Sequence, residues 1–325
     1  MLPSGTVAVL KSIRPGSERE PNLCISRKDH RLVTVTSAAD STNLQPSPLP
    51  TIAMIGTGNM NGAILAGLLA SAVAPVEPVR VTTRSAASAE KFAGDARILA
   101  FSTEADADAN RKAVEGASIV ILGVKPAQIK AVAAEIADSL ASDAVVMTVA
   151  AGIETATVEA QVPEGIRVVR VMPNTPATIG LATTGVAGGK ASDAQALALA
   201  RTIFESVGTV YEVPEEQISA VGAVAGSGPA HVYLLIEQMA AATERLGLSR
   251  EVALDIVVRT FKGSIEMVLQ DPTFDVVELR RKVTSPNGTT ERSVAVLQDA
   301  DLTGTFEQAL RANIGRSDEF AAENR

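Results

Sequence analysis

A short apolar run followed by a glycine-rich turn constrains the fold of this 325-residue chain more than any other stretch. The run Thr51-Ile52-Ala53-Met54-Ile55 has the length and composition of a buried strand. A turn with glycines at 56, 58 and 62 follows it, and residues 63–70 are typical of a helix. Strand, glycine turn and helix in this order indicate a dinucleotide-binding βαβ unit. The predicted binding loop consists of Ile55, Gly56, Thr57, Gly58, Asn59 and Met60.

The third glycine of the dinucleotide motif is absent, because Asn61 stands in its place and Gly62 follows. Gly56 and Gly58 still allow a pyrophosphate to approach the backbone, whereas the third glycine normally permits close packing of the helix on the strand. We therefore expect either that Gly62 takes over this role through a slight shift or that the helix starts a little further out.

The end of the second predicted strand, Val79 to Arg84, indicates which nicotinamide cofactor the chain binds. In an NAD enzyme, an acidic residue about 20 positions after the glycine loop holds the ribose hydroxyls. Arg84 and Ser85 occupy this place instead, and a cation beside a hydroxyl suits a 2′-phosphate. The sequence therefore predicts NADPH as the cofactor, with NADH as the weaker candidate. The alternative is that Arg84 is an ordinary exposed arginine.

Short β-rich runs alternate with helical stretches up to residue 213, which predicts a doubly wound parallel sheet of the Rossmann type. Ligands bind such sheets outside the carboxyl ends of the strands. Two segments that leave predicted strands are therefore expected to line the cofactor crevice. They are Gly123, Val124, Lys125 and Pro126, and Ala150, Ala151 and Gly152. The stiff loop at residues 172–176, with prolines at 173 and 176, is expected to form a wall near the nicotinamide.

Residues 214–325 have the pattern of a helical domain. The two longest predicted helices, 229–247 and 250–270, carry apolar side chains around much of their circumference, which indicates burial. A helical domain of this size cannot bury that surface alone, so we expect a partner subunit. His231, in the first of these helices, fits packing better than acid–base chemistry.

A Pro-Asn-Gly turn at residues 286–288, followed by Thr289, Thr290 and an apolar period, predicts a tight loop that leads into a helix. The free N–H groups and the positive dipole end of such a terminus favour a carboxylate or a phosphate. The hydroxyls of Ser285, Thr289 and Thr290 would add donors. The alternative is that Thr289 or Thr290 merely caps the helix.

Charge and composition exclude several classes of function. The net charge of −8 and the pI near 5.0 provide no electrostatic footprint for nucleic acid or an anionic membrane. One cysteine, Cys24, and two histidines, His30 and His231, are too few for a disulfide framework or a histidine metal site. No apolar run approaches the ~18–20 residues of a membrane span. We therefore expect a cytoplasmic protein that binds no metal, membrane or nucleic acid.

The first fifty residues differ from the rest of the chain. They hold six of the 16 prolines and have no sustained apolar period, which predicts a disordered or loosely ordered extension without chemistry. We divide the chain into this extension (1–50), a dinucleotide-binding domain (51–213), and a helical domain for dimerisation and substrate binding (214–325).

Together, the motifs resemble those of the pyrroline-5-carboxylate reductase family in order and spacing over about residues 51–315. They are the glycine loop at 55–60, the strand end at 124–126, the 172–176 loop, Gly226-Ser227-Gly228-Pro229-Ala230 and residues 283–297. The resemblance implies NAD(P)H-dependent reduction of 1-pyrroline-5-carboxylate to L-proline, the last step of proline synthesis. It also implies an N-terminal Rossmann domain and a helical domain that interlocks in a homodimer, often assembled further into rings such as a decamer.

The same resemblance assigns roles to individual residues. It implies that Asn110 contacts the adenosine ribose or its phosphate, and that Ser285, Gly288, Thr289 and Thr290 cradle the substrate carboxylate. Thr290 resembles the threonine beside the imine nitrogen. Asn287 departs from the family pattern of two glycines, but asparagine tolerates left-handed backbone angles and is expected to hold the turn. We expect the turn near residue 288 to face the glycine loop near residue 57, at a subunit boundary.

Two other functions fit parts of the pattern. A β-hydroxyacid dehydrogenase or a ketimine reductase has the same two-domain plan. The hydroxyacid enzymes rely on a lysine in the helical half. In the helical half of this chain, Lys262 and Lys282 are the only lysines. A non-catalytic NADPH-binding protein is the second alternative, which Asn61 and the long extension allow.

Overall fold

Residues 48–75 and 77–323 are described by a computed structural model of the chain. The extension predicted for residues 1–50 lies outside the described residues except for its last three positions, so Cys24 and His30 lie outside them too. Leu49, at the end of that segment, is 4% exposed and belongs to the core cluster that contains Ile52.

In the described part of the chain, eight strands form one sheet in the order β3-β2-β1-β4-β5-β6-β7-β8. The strands are β1 (Ile52–Ile55), β2 (Val79–Thr83), β3 (Ile98–Ser102), β4 (Ile119–Leu122), β5 (Val145–Thr148), β6 (Arg167–Met172), β7 (Ala182–Gly188) and β8 (Gly208–Glu212). The predicted doubly wound parallel sheet is confirmed, with one exception. Strand β7 runs antiparallel to β6. Only residues 173–181 join these two strands, and a parallel crossover needs a dozen residues or more.

Helices cover both faces of this sheet and continue beyond it. The α-helices of the described residues are α1 (Asn59–Ala70), α2 (Ala86–Glu90), α3 (Ala109–Val114), α4 (Ile129–Ile136), α5 (Thr155–Glu159), α6 (Ala194–Glu205), α7 (Ile218–Val221), α8 (Gly228–Arg245), α9 (Arg250–Gln270), α10 (Val276–Lys282), α11 (Thr289–Asp299) and α12 (Leu302–Glu323). A single π-helical turn, Gly222–Gly226, lies between α7 and α8 in this region.

Successive residues of a strand point to opposite faces of the sheet, and here both faces are buried. Ile52 and Met54 of β1 belong to a core cluster with buried residues of α1 and α6. Ala53 and Ile55 belong to a second cluster with residues of α3, α4 and α5. All four side chains are 0% exposed. A strand buried on both faces must be apolar throughout, which is why the sequence shows it as a continuous apolar run.

Helices α8 and α9 expose most of their apolar side chains. Helix α8 contains one buried residue, Ala240, and α9 contains two, Ala253 and Val257. Tyr233 and Leu234 of α8 are 64% and 53% exposed. The burial predicted for these helices is therefore not reached within one chain, and another surface has to cover them.

The segment from Glu215 to Arg245 is 31 residues long and, by length and composition alone, apolar enough to cross a membrane. The segment contains no uninterrupted apolar run of ~18–20 residues, so the prediction, which concerned such runs, is not contradicted. Ser227 and Gln238 interrupt this segment without making it polar overall. Only 17% of the most apolar part of this segment is buried in one chain. A helix that packs against another subunit needs the same composition.

A buried arginine links the sheet to the first turn of the helical half. Arg170 of β6 is 6% exposed, and its Nη1 lies 3.6 Å from Oε1 of Glu215. Glu215 also accepts hydrogen bonds from the backbone N–H and from Oγ1 of Thr155, both at 2.7 Å. Desolvation lowers the pKa of Arg170, and the negative charges of Glu215 and Glu154 oppose that decrease. Glu215 thus compensates a buried charge and holds the start of α5 at the same time.

Two glycines of α1 should respond in opposite ways to the same substitution. A Cβ on Gly67 would lie 2.3 Å from Cγ1 of Val207 and 2.9 Å from the carbonyl oxygen of Ser206, whereas a Cβ on Gly62 would meet no atom within 4 Å. We expect Gly67→Ala to lower the free energy of unfolding by about 1–3 kcal/mol through overpacking. Gly62→Ala should raise it by about 0.5–1 kcal/mol, because alanine loses less backbone entropy on folding. Denaturant titration measures both, and equal stability of the two variants would contradict the close packing at Gly67.

Removal of the carboxylate of Glu215 should destabilise the fold. Glu215→Ala leaves the guanidinium of Arg170 buried without its partner, and we expect the free energy of unfolding to fall by about 3–5 kcal/mol. Glu216→Ala removes a neighbouring exposed carboxylate and is the matched control, with an expected change within about 0.5 kcal/mol. Chemical denaturation of both variants checks this, and similar losses in the two would argue against a stabilising Arg170–Glu215 pair.

Candidate active site

A cleft of ≈ 400 Å³ lies at the carboxyl edge of the sheet. Met60 at the start of α1 and the segments that leave β5 and β6 form one side. Helix α7, the π-helical turn with Ser227, and α12 form the other. Its lining includes Ala151, Gly152, Arg170, Asn174, Ser227, Asn313, Arg316 and Phe320. The order of strands reverses between β1 and β4, and open α/β sheets bind ligands at this edge, beside such a reversal.

The glycine loop is held in place by the neighbouring strands. The N–H of Gly56 donates to Oγ1 of Thr82 at 3.0 Å, and the N–H of Thr57 donates to the carbonyl of Thr82 at 2.7 Å. Gly56 has φ +78°, and a Cβ there would lie 2.5 Å from Cγ1 of Val124, so only glycine fits. A Cβ on Gly58 would meet no atom within 4 Å. The space beside Gly58 is therefore large enough for a ligand to approach the backbone.

Helix α1 begins at Asn59, earlier than the predicted start at residue 63. Gly58 is its N-cap residue and has no side chain that could satisfy the first N–H groups. The backbone of this terminus therefore suits the pyrophosphate of a dinucleotide. Gly62 does not provide the close packing expected of it, because the space around it is open. Asn61, 1% exposed, fills the contact between α1 and β4 instead.

Arg84 and Ser85 follow the end of β2, at the place where the sequence predicted a binding site for a 2′-phosphate. Arg84 is exposed, and its guanidinium forms no ion pair with any described residue. Oγ of Ser85 donates to Oγ of Ser88 at 3.0 Å, across the first turn of α2. The cation is therefore available to a phosphate group.

Asn110 lies on α3 and is 6% exposed. Its Nδ2 donates to both carboxylate oxygens of Glu135 on α4, at 3.2 and 3.1 Å. Its Oδ1 is buried and has no hydrogen-bond partner in the described part of the chain. The contact of Asn110 with the adenosine ribose or its phosphate therefore stays a prediction.

The segments that leave β4 and β5 both reach the carboxyl edge of the sheet. Lys125 is exposed, and Pro126 starts a 3₁₀ turn before α4, in keeping with a proline at a helix start. Gly152 has φ +72°, and a Cβ there would lie 3.1 Å from Cβ of Phe320. Helix α12 therefore packs directly on the segment of Ala150, Ala151 and Gly152.

The proline-bracketed loop at 172–176 is tied to the helical half. Nδ2 of Asn174 donates to the carbonyl of Ala225 in the π-helical turn at 3.0 Å, and Oδ1 of Asn174 accepts from the N–H of Thr183 at 2.9 Å. Nearby, Nδ2 of Asn313 on α12 donates to Oγ of Ser227 at 2.6 Å. The wall of the cleft is thus held by hydrogen bonds as well as by prolines.

Two parts of the cleft were not foreseen from the sequence. Arg170 interrupts the apolar run that follows Arg167 in β6, and a charge at a buried strand position is a signal that could have identified it. The guanidinium of Arg316 on α12 lies 3.9 Å from the ring centre of Phe320. The sequence of helix α12 contains no comparable signal of a place in the cleft, because its contact with the sheet edge depends on tertiary packing.

Residues 285–290 form the expected loop before a helix. Asn287 has φ +59°, so asparagine holds the left-handed position as predicted. The N–H of Asn287 donates to Oε2 of Glu291 at 2.8 Å, and the N–H of Gly288 donates to the carbonyl of Ser285 at 2.9 Å. A Cβ on Gly288 would lie 2.9 Å from that carbonyl oxygen, so the turn requires glycine there. The N–H of Gly288 is therefore used within the loop in one chain, and the role of Gly288 in cradling a carboxylate stays a prediction.

The N–H groups of Thr289 and Thr290 open α11 and have no hydrogen-bond partner among the described residues. Residues 285–290 do not line the cleft of the same chain. Lys262 and Lys282 are exposed and do not line it either. In the ranges that the structure describes, no group of three or more His, Cys, Asp or Glu side chains could hold a metal ion.

Comparison with known proteins gives a consistent result for both halves of the chain. Residues 215–320 match the family described as pyrroline-5-carboxylate reductase dimerisation, and residues 51–152 match the family described as NADP oxidoreductase, coenzyme F420-dependent. Among solved structures, a pyrroline-5-carboxylate reductase from Coxiella burnetii is similar with a TM-score of 0.77 and 35% identity, over 84% of this chain and 98% of that one. A Plasmodium falciparum pyrroline carboxylate reductase with NADP bound is similar with a TM-score of 0.72 and 25% identity, over 85% of this chain and 99% of that one.

Relatives of known sequence agree with this result over nearly their whole length. The pyrroline-5-carboxylate reductase of Pseudomonas aeruginosa is 38% identical over 275 residues, which are 84% of this chain and 98% of the relative. That of Mycobacterium tuberculosis is 36% identical in an alignment 291 residues long that covers 83% of this chain and 96% of the relative. With the glycine loop, the cleft and the helical half all inside the matched region, the chain belongs to the pyrroline-5-carboxylate reductase family.

Proposed function

We propose that this protein reduces the C=N bond of 1-pyrroline-5-carboxylate to give L-proline, the final step of proline biosynthesis, with NADPH as reductant. The observation that carries the proposal is the cleft at the carboxyl edge of the sheet, bounded by the glycine loop region and the helical half, in a chain of this family. The cleft of ≈ 400 Å³ between these two sides provides space for a small ring.

The residues around the glycine loop fit NADPH. The uncapped start of α1 offers N–H groups to the pyrophosphate, and Arg84 offers a free cation to the 2′-phosphate. The residues that follow β4 and β5 border the same carboxyl edge of the sheet. NADH is the second nucleotide to test. When bound, NADPH supplies the hydride.

The loop at 285–290 binds the substrate carboxylate in this proposal. The N–H groups of Thr289 and Thr290 and the positive end of α11 favour an anion, and the hydroxyl of Ser285 adds a donor. Carboxylate binding orients the ring so that C5 faces the hydride donor. A protonated imine is already electrophilic, so little acid–base chemistry is needed. The hydroxyl of Thr290 hydrogen-bonds the ring nitrogen while it becomes an amine.

A second copy of the chain completes the site in this proposal. The 285–290 loop is separate from the cleft of its own chain, and the apolar faces of α8 and α9 need a covering surface. Both facts are accounted for when two chains interlock through their helical halves, so that the loop of one faces the cleft of the other. We assign residues 51–213 to dinucleotide binding and 214–325 to dimerisation and substrate binding. Dimers of this kind can assemble into rings such as a decamer, in a cytoplasmic enzyme without membrane or nucleic-acid partners.

Thr290→Ala should separate turnover from cofactor binding. Loss of a hydrogen bond to a group that carries charge costs about 1.5–3 kcal/mol, so we expect kcat to fall about 10- to 100-fold, with little change in the KM for NADPH. The assay is NADPH oxidation on addition of 1-pyrroline-5-carboxylate, and unchanged turnover would remove Thr290 from the mechanism.

Lys262→Ala is the matched control, because a hydroxyacid dehydrogenase would need a lysine in the helical half. Lys262 is exposed and away from the cleft, so we expect full activity in this variant. If Lys262→Ala abolished activity and Thr290→Ala did not, the dehydrogenase alternative would replace our proposal. Absence of any NADPH oxidation by the unaltered protein would favour the non-catalytic alternative.

Arg84→Ala should weaken the preference for NADPH. Removal of a charge-assisted contact to the 2′-phosphate should raise the KM for NADPH about 10- to 100-fold and leave the KM for NADH nearly constant. Steady-state kinetics with both nucleotides check this. An equal effect on both would show that Arg84 does not read the 2′-phosphate.

A further inference from the structure

The side chain at the position of the missing third glycine is buried where the sheet meets α1. We propose that Asn61 is a positioning residue for the dinucleotide loop and that Gly123, on the neighbouring strand end, is its obligatory partner. The inference rests on the proposed use of NADPH, and it concerns how this particular chain holds the loop that would bind it.

The need for glycine at 123 comes from space alone. A Cβ on Gly123 would lie 2.2 Å from Nδ2 and 2.4 Å from Cγ of Asn61, well inside any contact that a real Cβ makes. Gly123 is not among the glycines with positive φ, so backbone conformation does not explain its presence. The dinucleotide motif normally removes a side chain from the helix to obtain close packing. In this chain the helix has a side chain at that position, Asn61, and the residue without a side chain is Gly123 at the strand end.

The amide of Asn61 reaches the loop that it would position. Its Nδ2 lies 3.4 Å from the carbonyl oxygen of Gly56 and donates to it. The N–H of the same glycine is bound by Thr82, so Gly56 is held from both sides. Gly123 in turn donates its N–H to the carbonyl of Ile55 at 2.8 Å. Asn61 and Gly123 therefore form one contact between the ends of β1 and β4, where the strand order reverses and a ligand enters.

The amide is retained although it is not fully satisfied. Oδ1 of Asn61 is buried without a hydrogen-bond partner among the described residues, and such a group costs free energy. An apolar side chain of similar shape would avoid that cost and would fill the same space. The polar residue is therefore explained by its bond to Gly56 rather than by packing.

Four variants test this pair, with two readouts that do not require turnover: the Tm and the Kd for NADPH from a fluorescence titration. Gly123→Ala should lower the Tm and raise the Kd at least 10-fold, because its Cβ displaces the amide. Asn61→Gly should raise the Kd several-fold, although it restores the usual motif. In the double variant Asn61→Gly/Gly123→Ala, the new Cβ enters the vacated space, so the Tm should recover most of the loss seen in Gly123→Ala. Asn61→Leu fills the space without a donor and should keep the Tm while it raises the Kd.

Gly62→Ala is the control on the same helix and should not lower the Tm, since the space around Gly62 is open. Two results would overturn the inference. One is an Asn61→Leu variant that binds NADPH as tightly as the unaltered protein. The other is a Gly123→Ala change that lowers the Tm as much in the Asn61→Gly background as it does in the unaltered protein. If Gly123→Ala does not fold, the Tm of Asn61→Gly is compared with the Tm of the double variant. A large decrease in Tm between these two variants contradicts the pairing. Failure of the unaltered protein to bind NADPH would sink the proposed function instead, and the Tm comparison would still report on the contact.

Discussion

The close approach of β1 and β4 at their carboxyl ends is the constraint on which the rest of this structure depends. The strand order reverses there, so the helices that follow these strands leave toward opposite faces and open a crevice above the sheet. Backbone has to pass very near backbone at this point. Gly56 meets Val124 and Gly123 meets Asn61, and in each contact one residue lacks a side chain so that the other can pack. The crevice, the exposed start of α1 and the cleft beside them all follow from this geometry.

The helical half is under a different constraint, since it cannot bury its own apolar surface within one chain. Its long helices show apolar faces to solvent within one chain, and the 285–290 loop does not line the cleft of its own chain. In the dimer that we propose, stability and chemistry are linked through assembly, because the contact that buries α8 and α9 would also bring the 285–290 loop to the substrate. The buried pair of Arg170 and Glu215 connects this half to the sheet at its first turn, together with the bond from Asn174 to Ala225.

Much of this architecture could be predicted from the sequence, and the failures share a physical cause. Buried strands were recognisable because both faces demand apolar residues, and helix α9 was predicted at 250–270 because Ser249 caps it and Asp271-Pro272 end it. The start of α1 was misplaced because its cap is a glycine, which leaves no side-chain signal. The reversal of β7, the role of α12 in the cleft and the exchange of bulk between Asn61 and Gly123 all depend on contacts distant in sequence. Local patterns specify elements well, and they do not specify which elements meet.

The bond from Asn174 to the carbonyl of Ala225 has an evolutionary consequence. Ala225 lies in the π-helical turn, and its carbonyl accepts from a side chain outside the helix. One partner in this bond is a side chain and the other is main chain. Drift at position 225 can therefore change the side chain without loss of the link, whereas position 174 must keep an amide. This link between the two halves therefore depends on the side chain of one residue only.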